Sequence, residues 1–283
     1  MMINKKKYGF TLLEKRNVAE INSMVRLFRH DSGAELLHIE NDDDNKVFAI
    51  TFRTPPANSK GIPHILEHSV LCGSRKYPIK EPFVELLKGS LKTYLNAMTF
   101  ADKTMYPVAS TNEKDFVNLM DVYLDAVFYP NIYQQPQILM QEGWHHELTK
   151  KDDEITLKGV VYNEMQGVFS SPEEVLFSNI QHSLFPNHVY GFESGGDPDD
   201  IPNLSYEEFI DFHKCYYHPS NSRIFLYGDG SIENRLKFIH KEYLRKFTKS
   251  AIDSHIPLVN SYDNPDEIEK RYSISADENE KEK

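Results

Sequence analysis

KVFAITFRTPPANSKGIPHILEHSVLC, residues 46–72, changes its periodicity halfway. Residues 46–53 read as a strand, and 54–63 as a loop rich in proline and glycine. From Pro63, a residue suited to a first turn, the pattern is helical. His64 and His68 then stand at i and i+4 on one helical face, with Glu67 beside His68. Two imidazoles so placed can share one metal ion. The carboxylate could take a proton from a metal-bound water whose pKa is lowered to about 7. The order is H-x-x-E-H, the inverse of H-E-x-x-H. A pair of exposed helix histidines is the competing reading. Ile65, Leu66, Val70 and Leu71 speak against it: they make this a buried helix, where two histidines and a glutamate are costly without a metal or partners.

Outward from this stretch, residues 23–53 form strand-like runs separated by HDSG and NDDDN, which predicts an antiparallel meander. EPFVELLKGS (81–90) reads as a helix, and KTYLNAMTFADKTMYPVAS (92–110) as strands around an ADK turn. Asn112 is positioned to cap a helix over 112–129, whose apolar stripe is Phe116, Leu119, Met120, Tyr123, Leu124 and Val127. Residues 157–185 are helical with a break at SSP. Ser205 and Glu208 have capping-box spacing before YEEFIDFHKCYY. SRIFLYGDG is a buried-type strand, and 231–247 the last helix. Strands interspersed with helices predict an α+β fold: a two-layer domain, mostly antiparallel sheet, with helices on one face. Residues 1–250 are expected to form the domain, and 251–283 a charged, mobile tail.

A catalytic zinc takes three protein ligands. HHELTK (145–150) lacks the second histidine of a zincin motif, and HKCYYH (213–218) spaces its histidines five apart. Glu164, in VVYNEMQG, is the best third candidate, against the alternative of a surface-facing glutamate. Two imidazoles and one carboxylate would also accept manganese or cobalt.

The net charge of −11 argues against nucleic-acid binding and leaves room for basic partners. Cys72 and Cys215 are far apart and are expected to be reduced core thiols. No membrane span, secretory signal or transit-peptide pattern is read, which makes a cytoplasmic protein the expectation.

HILEHSVLCGSRKYPIKEPFVELLKGSLKTYLNAMTFADKTMYPVAS (64–110) and KGVVYNEMQGVFSSPE (158–173) resemble the presequence-protease branch of the pitrilysin/insulinase metallopeptidases, the inverzincins. YGFESGGDPDDIP (190–202) and YYHPSNSRIFLYGD (216–229) are similar to the same branch. The resemblance implies a zinc-dependent endopeptidase acting on unfolded peptides, with one Zn2+ held by His64, His68 and Glu164 and with Glu67 as general base. It implies that Leu95, Asn96 and Ala97 belong to an edge strand that receives the peptide by β-addition. It also implies that this chain is the first of about four related domains. A C-terminal half or second chain would then complete a chamber, and the chain alone would be weakly active. A non-catalytic zinc- or peptide-binding subunit is the alternative.

Overall fold

The computed structural model describes residues 5–80, 82–259, 262 and 267–269. The strands in chain order are β1 (Lys6–Lys7), β2 (Phe10–Val18), β3 (Ser23–His30), β4 (Glu35–Glu40) and β5 (Lys46–Arg53). Helices α1 (Ile62–Val70) and α2 (Pro82–Gly89) precede β6 (Lys92–Leu95), β7 (Met98–Thr99) and β8 (Lys103–Ser110). Then come α3 (Glu113–Phe128), α4 (Gln137–Glu142), the ribbon β9 (His145–Glu147) and β10 (Thr156–Lys158), α5 (Val160–Val168) and α6 (Pro172–Leu184). The last elements are α7 (Tyr206–Tyr216), β11 (Ser222–Tyr227) and α8 (Ile232–Glu242).

The main sheet runs β1-β2-β3-β4-β11-β5-β8-β6, with β7 also paired to β8. All its pairings are antiparallel except β11 with β4. The fold is α+β, as expected, but the meander over 23–53 is not continuous. β3 and β4 form a hairpin, whereas β4 and β5 are separated by β11, which arrives about 170 residues later in the chain. A parallel partner needs a crossover connection, and nothing in residues 23–53 encodes it.

Side chains alternate across the sheet. Phe48, Ile50 and Phe52 of β5, Ile224 and Leu226 of β11, and Tyr106 and Val108 of β8 are buried on one face. Register brings Ile50 opposite both Tyr106 and Ile224. Helix α3 covers this face, burying Phe116, Leu119, Met120, Tyr123, Leu124 and Val127. Its N-cap is Asn112, which accepts from the Asp115 amide, and α7 carries the expected Ser205–Glu208 capping box. Arg223 is exposed on the other face, where Phe225 and Tyr227 are half-buried, so only one face carries the core.

One expectation changes locally. Cys215 is exposed rather than a core thiol, and neither cysteine forms a disulfide. Residues 251–259 carry no helix or strand, but they are tied to the body. Ser254 Oγ donates to Asn221 Oδ1 at 2.9 Å, and the His188 ring nitrogen Nε2 lies 2.9 Å from the Pro257 carbonyl. Most of the remaining expected tail lies outside the described residues. Among the described residues, no helix is long and apolar enough to cross a membrane.

Three buried histidines set an acid limit. Burial lowers the pKa of His30, His38 and His213 from the usual 6.5 to about 4. His213 is satisfied as the neutral ring, with Nε2 donating to the Val127 carbonyl at 3.0 Å and Nδ1 accepting from the Tyr133 hydroxyl at 2.7 Å. Between pH 6.5 and 4 the unfolded chain therefore binds more protons at these sites than the folded one. Their contribution is full above the upper limit and is lost as pH falls through this window. The expected loss between pH 7 and 5 is on the order of 1 kcal/mol per histidine. Urea unfolding at the two pH values measures it, and equal stabilities would refute it.

Candidate metal centre

Helix α1 buries Ile62, Pro63, Ile65, Leu66, Glu67, Ser69 and Val70, and leaves His64 and His68 half-buried along one edge. Helix α5 anchors through Val161, Tyr162 and Met165, and this turns Glu164 outward with a half-exposed side chain. Glu164 Oε2 stands 3.7 Å from His64 Nε2 and 3.9 Å from His68 Nε2. One ligand atom from each of the three residues lies within 4.8 Å of the others. Tetrahedral ligands about 2.0–2.1 Å from a zinc-sized ion stand roughly 3.3–3.5 Å apart, so the three side chains suit a shared metal with little movement. The donors are two imidazoles and one carboxylate, and the exposed side of Glu164 keeps a further position open to water or substrate.

Each imidazole has a partner behind it. His64 Nδ1 donates to the Gly195 carbonyl at 3.0 Å, which directs Nε2 toward Glu164. Two glycines allow this approach. Gly61, just before α1, has φ +69°, and a Cβ there would meet Gly196 Cα at 2.8 Å. A Cβ on Gly196 would meet Gly61 Cα at 3.0 Å. Behind His68 lies Glu142, buried at the end of α4, with Oε2 3.4 Å from His68 Nδ1. Burial opposes charge on both groups, but their mutual contact outweighs it. The His68 pKa is raised, helped by Glu67 and Glu164, and that of Glu142 is lowered.

Glu67 is buried, and its Oε2 accepts from the Thr99 hydroxyl of β7 at 2.6 Å. Beyond it lies a buried hydroxyl pair, Tyr106 and Tyr217, 2.8 Å apart. Among the described residues β6 is the terminal strand of the sheet, so the segment carrying Leu95, Asn96 and Ala97 lies at its edge. Leu95 pairs with Val108, and the Asn96 carbonyl accepts from the Tyr123 hydroxyl at 3.1 Å, which fixes the end of the strand to α3. The Ala97 amide is taken by Asn96 Oδ1 at 3.0 Å.

The structure thus brings His64, His68 and Glu164 together, puts Glu67 on the same helix, and leaves His145, His146, His213 and His218 outside the cluster. Sequence reading missed Glu142, Thr99 and the Gly195 carbonyl. The first two belong to segments that only the fold brings to α1, and the third is a backbone atom with no side-chain signal.

Helices α1 and α5 thus carry a His/His/Glu cluster that could hold a metal ion, close to the β7 strand that α1 also contacts. Comparison with known proteins makes this specific. Residues 53–193 match the insulinase family (peptidase family M16), and residues 203–283 match the family described as the peptidase M16 inactive domain. The chain belongs to the insulinase-type M16 peptidase family. It is 59% identical, over 95% of its length, to "Protein HypA" of Clostridium perfringens, covering 28% of that protein. It is 52% identical, over 96% of its length, to "Presequence protease 1, chloroplastic/mitochondrial" of Arabidopsis thaliana, covering 25% of it. The crystal structure of pitrilysin superposes with a TM-score of 0.69 at 18% identity, over 89% of this chain and 26% of that one, and shares its fold. The chain spans about a quarter of the length of the curated relatives it matches.

The cytoplasmic expectation is overturned by these relatives, since those from Arabidopsis thaliana and Xenopus laevis are named chloroplastic/mitochondrial and mitochondrial. The expectation rested on reading no targeting or membrane-spanning pattern, and such an absence does not select a compartment.

Proposed function

We propose that this chain is the catalytic domain of a zinc endopeptidase that hydrolyses unfolded peptides. The observation that carries the reading is the convergence of His64, His68 and Glu164, with Glu67 on the same helix as the two histidines. In this reading the three side chains hold one zinc ion, and Glu67 is the general base. A bound zinc supplies Lewis-acid polarisation of the scissile carbonyl and lowers the pKa of water to about 7. Glu67 takes a proton from the attacking water and delivers one to the leaving amine. Thr99 holds the Glu67 carboxylate in place through this exchange. A substrate in extended form adds to the edge at Leu95, Asn96 and Ala97, and backbone pairing selects for unfolded chains. The net charge of −11 suits basic peptides.

Residues 1–250 are the catalytic unit in this account, and 251–283 lead toward further domains. A C-terminal half or second chain would close a chamber over the site, so hydrolysis by this chain alone is expected to be weak. The test is cleavage of an unstructured peptide and of a stably folded protein, with and without a zinc chelator. The peptide should be cut and the folded protein spared, with activity lost to the chelator and restored by zinc. Cleavage that survives chelation would refute the reading.

A further inference from the structure

We infer that Glu142 is a positioning residue that orients His68 and strengthens it as a metal donor, a step that rests on His68 being a ligand. The Glu142 residue is only 6% exposed. A carboxylate this deep is costly unless it is paired, yet among the described residues its partners include no lysine or arginine. Its Oε1 accepts from Gln141 Nε2 at 2.8 Å and from Cys72 Sγ at 3.4 Å. These two donors pin the group and leave Oε2 facing His68 Nδ1 at 3.4 Å.

The consequence lies on the other side of the ring. With the Nδ1 proton directed at Glu142, the Nε2 lone pair is the free donor, and that nitrogen faces Glu164. His64 is oriented in the same sense, but by the neutral Gly195 carbonyl. The two imidazoles therefore differ: His68 Nδ1 has a carboxylate directly behind it, whereas the Glu193 carboxylate on the His64 side is engaged by the Gly195 amide, and a carboxylate against the ring raises ligand basicity as well as fixing the ring. The turn that seats Glu142 is tight. A Cβ on the following Gly143 would meet the Leu139 carbonyl at 2.8 Å and Ile65 of α1 at 3.2 Å, so that glycine lets the end of α4 close onto α1.

The test uses Glu142→Leu, which removes charge and acceptor, and Glu142→Gln, which keeps an acceptor. Zinc affinity is measured by competition with a chromophoric chelator. The visible spectrum of the cobalt-substituted protein and the thermal midpoint of the metal-free protein are recorded beside it. Glu142→Leu should bind zinc about 10–100-fold more weakly, with Glu142→Gln between it and wild type. Both should alter the cobalt spectrum, while the metal-free midpoints stay close to wild type. Wild-type affinity and an unchanged spectrum in both variants would overturn the inference. So would losses that follow unfolding of the metal-free protein in both. A wild-type chain that takes up no zinc would overturn the functional reading along with it, which separates that failure from this one.

Discussion

Glu67→Gln is expected to lower peptide hydrolysis by about 10²–10⁴-fold, the span associated with losing a positioned general base. Zinc content should stay at the wild-type level, because the ligand atoms that converge are those of His64, His68 and Glu164, and Glu67 is not among them. The fold should also hold. An amide oxygen can still accept the Thr99 hydroxyl, and the substitution is isosteric in a site that already excludes most water. Activity and zinc content are measured on the same preparation. Retained activity would remove Glu67 from the mechanism, and loss of zinc would make it part of the metal site instead.

Loss of a ligand should give the opposite pattern, with metal and activity falling together. Structural zinc sites bind with about 10–16 kcal/mol, which over four ligands is roughly 3 kcal/mol each and more than a hundredfold in affinity. Glu164→Gln is the cleaner variant, since its half-exposed side chain leaves no buried group unsatisfied. His64→Ala should lose zinc to a similar degree but also cost about 1–3 kcal/mol of stability, because the Gly195 carbonyl loses its donor. Chelator competition reads the affinity, and urea unfolding of the metal-free protein reads the stability. A Glu164→Gln variant that holds zinc as tightly as wild type would leave the third ligand unassigned.

What could be read in the sequence follows the range of the interactions involved. The first turn of α1 around Pro63, the Asn112 cap and the Ser205–Glu208 capping box are local devices, encoded within a few residues, and all appear where their patterns place them. The placement of β11 between β4 and β5 is non-local, and no window of residues 23–53 carries it. The site divides in the same way. His64, Glu67 and His68 lie within five residues and announce themselves by spacing. Glu164 was reachable as a carboxylate set among Val160, Val161 and Met165, although it is the outward-facing member of that helix. Glu142 and Thr99 are 74 and 32 positions from their partners His68 and Glu67, and only the packing of α4 and β7 against α1 joins them.

X-ray absorption at the zinc edge of the loaded protein tests the central claim most directly. The account predicts a first shell of nitrogen and oxygen at about 2.0–2.1 Å, with the outer-shell signature of two imidazoles and no sulfur at about 2.3 Å. A sulfur scatterer would bring Cys72 or Cys215 into the shell. That result, or fewer than two imidazoles, would contradict the assignment of His64, His68 and Glu164 as the metal site.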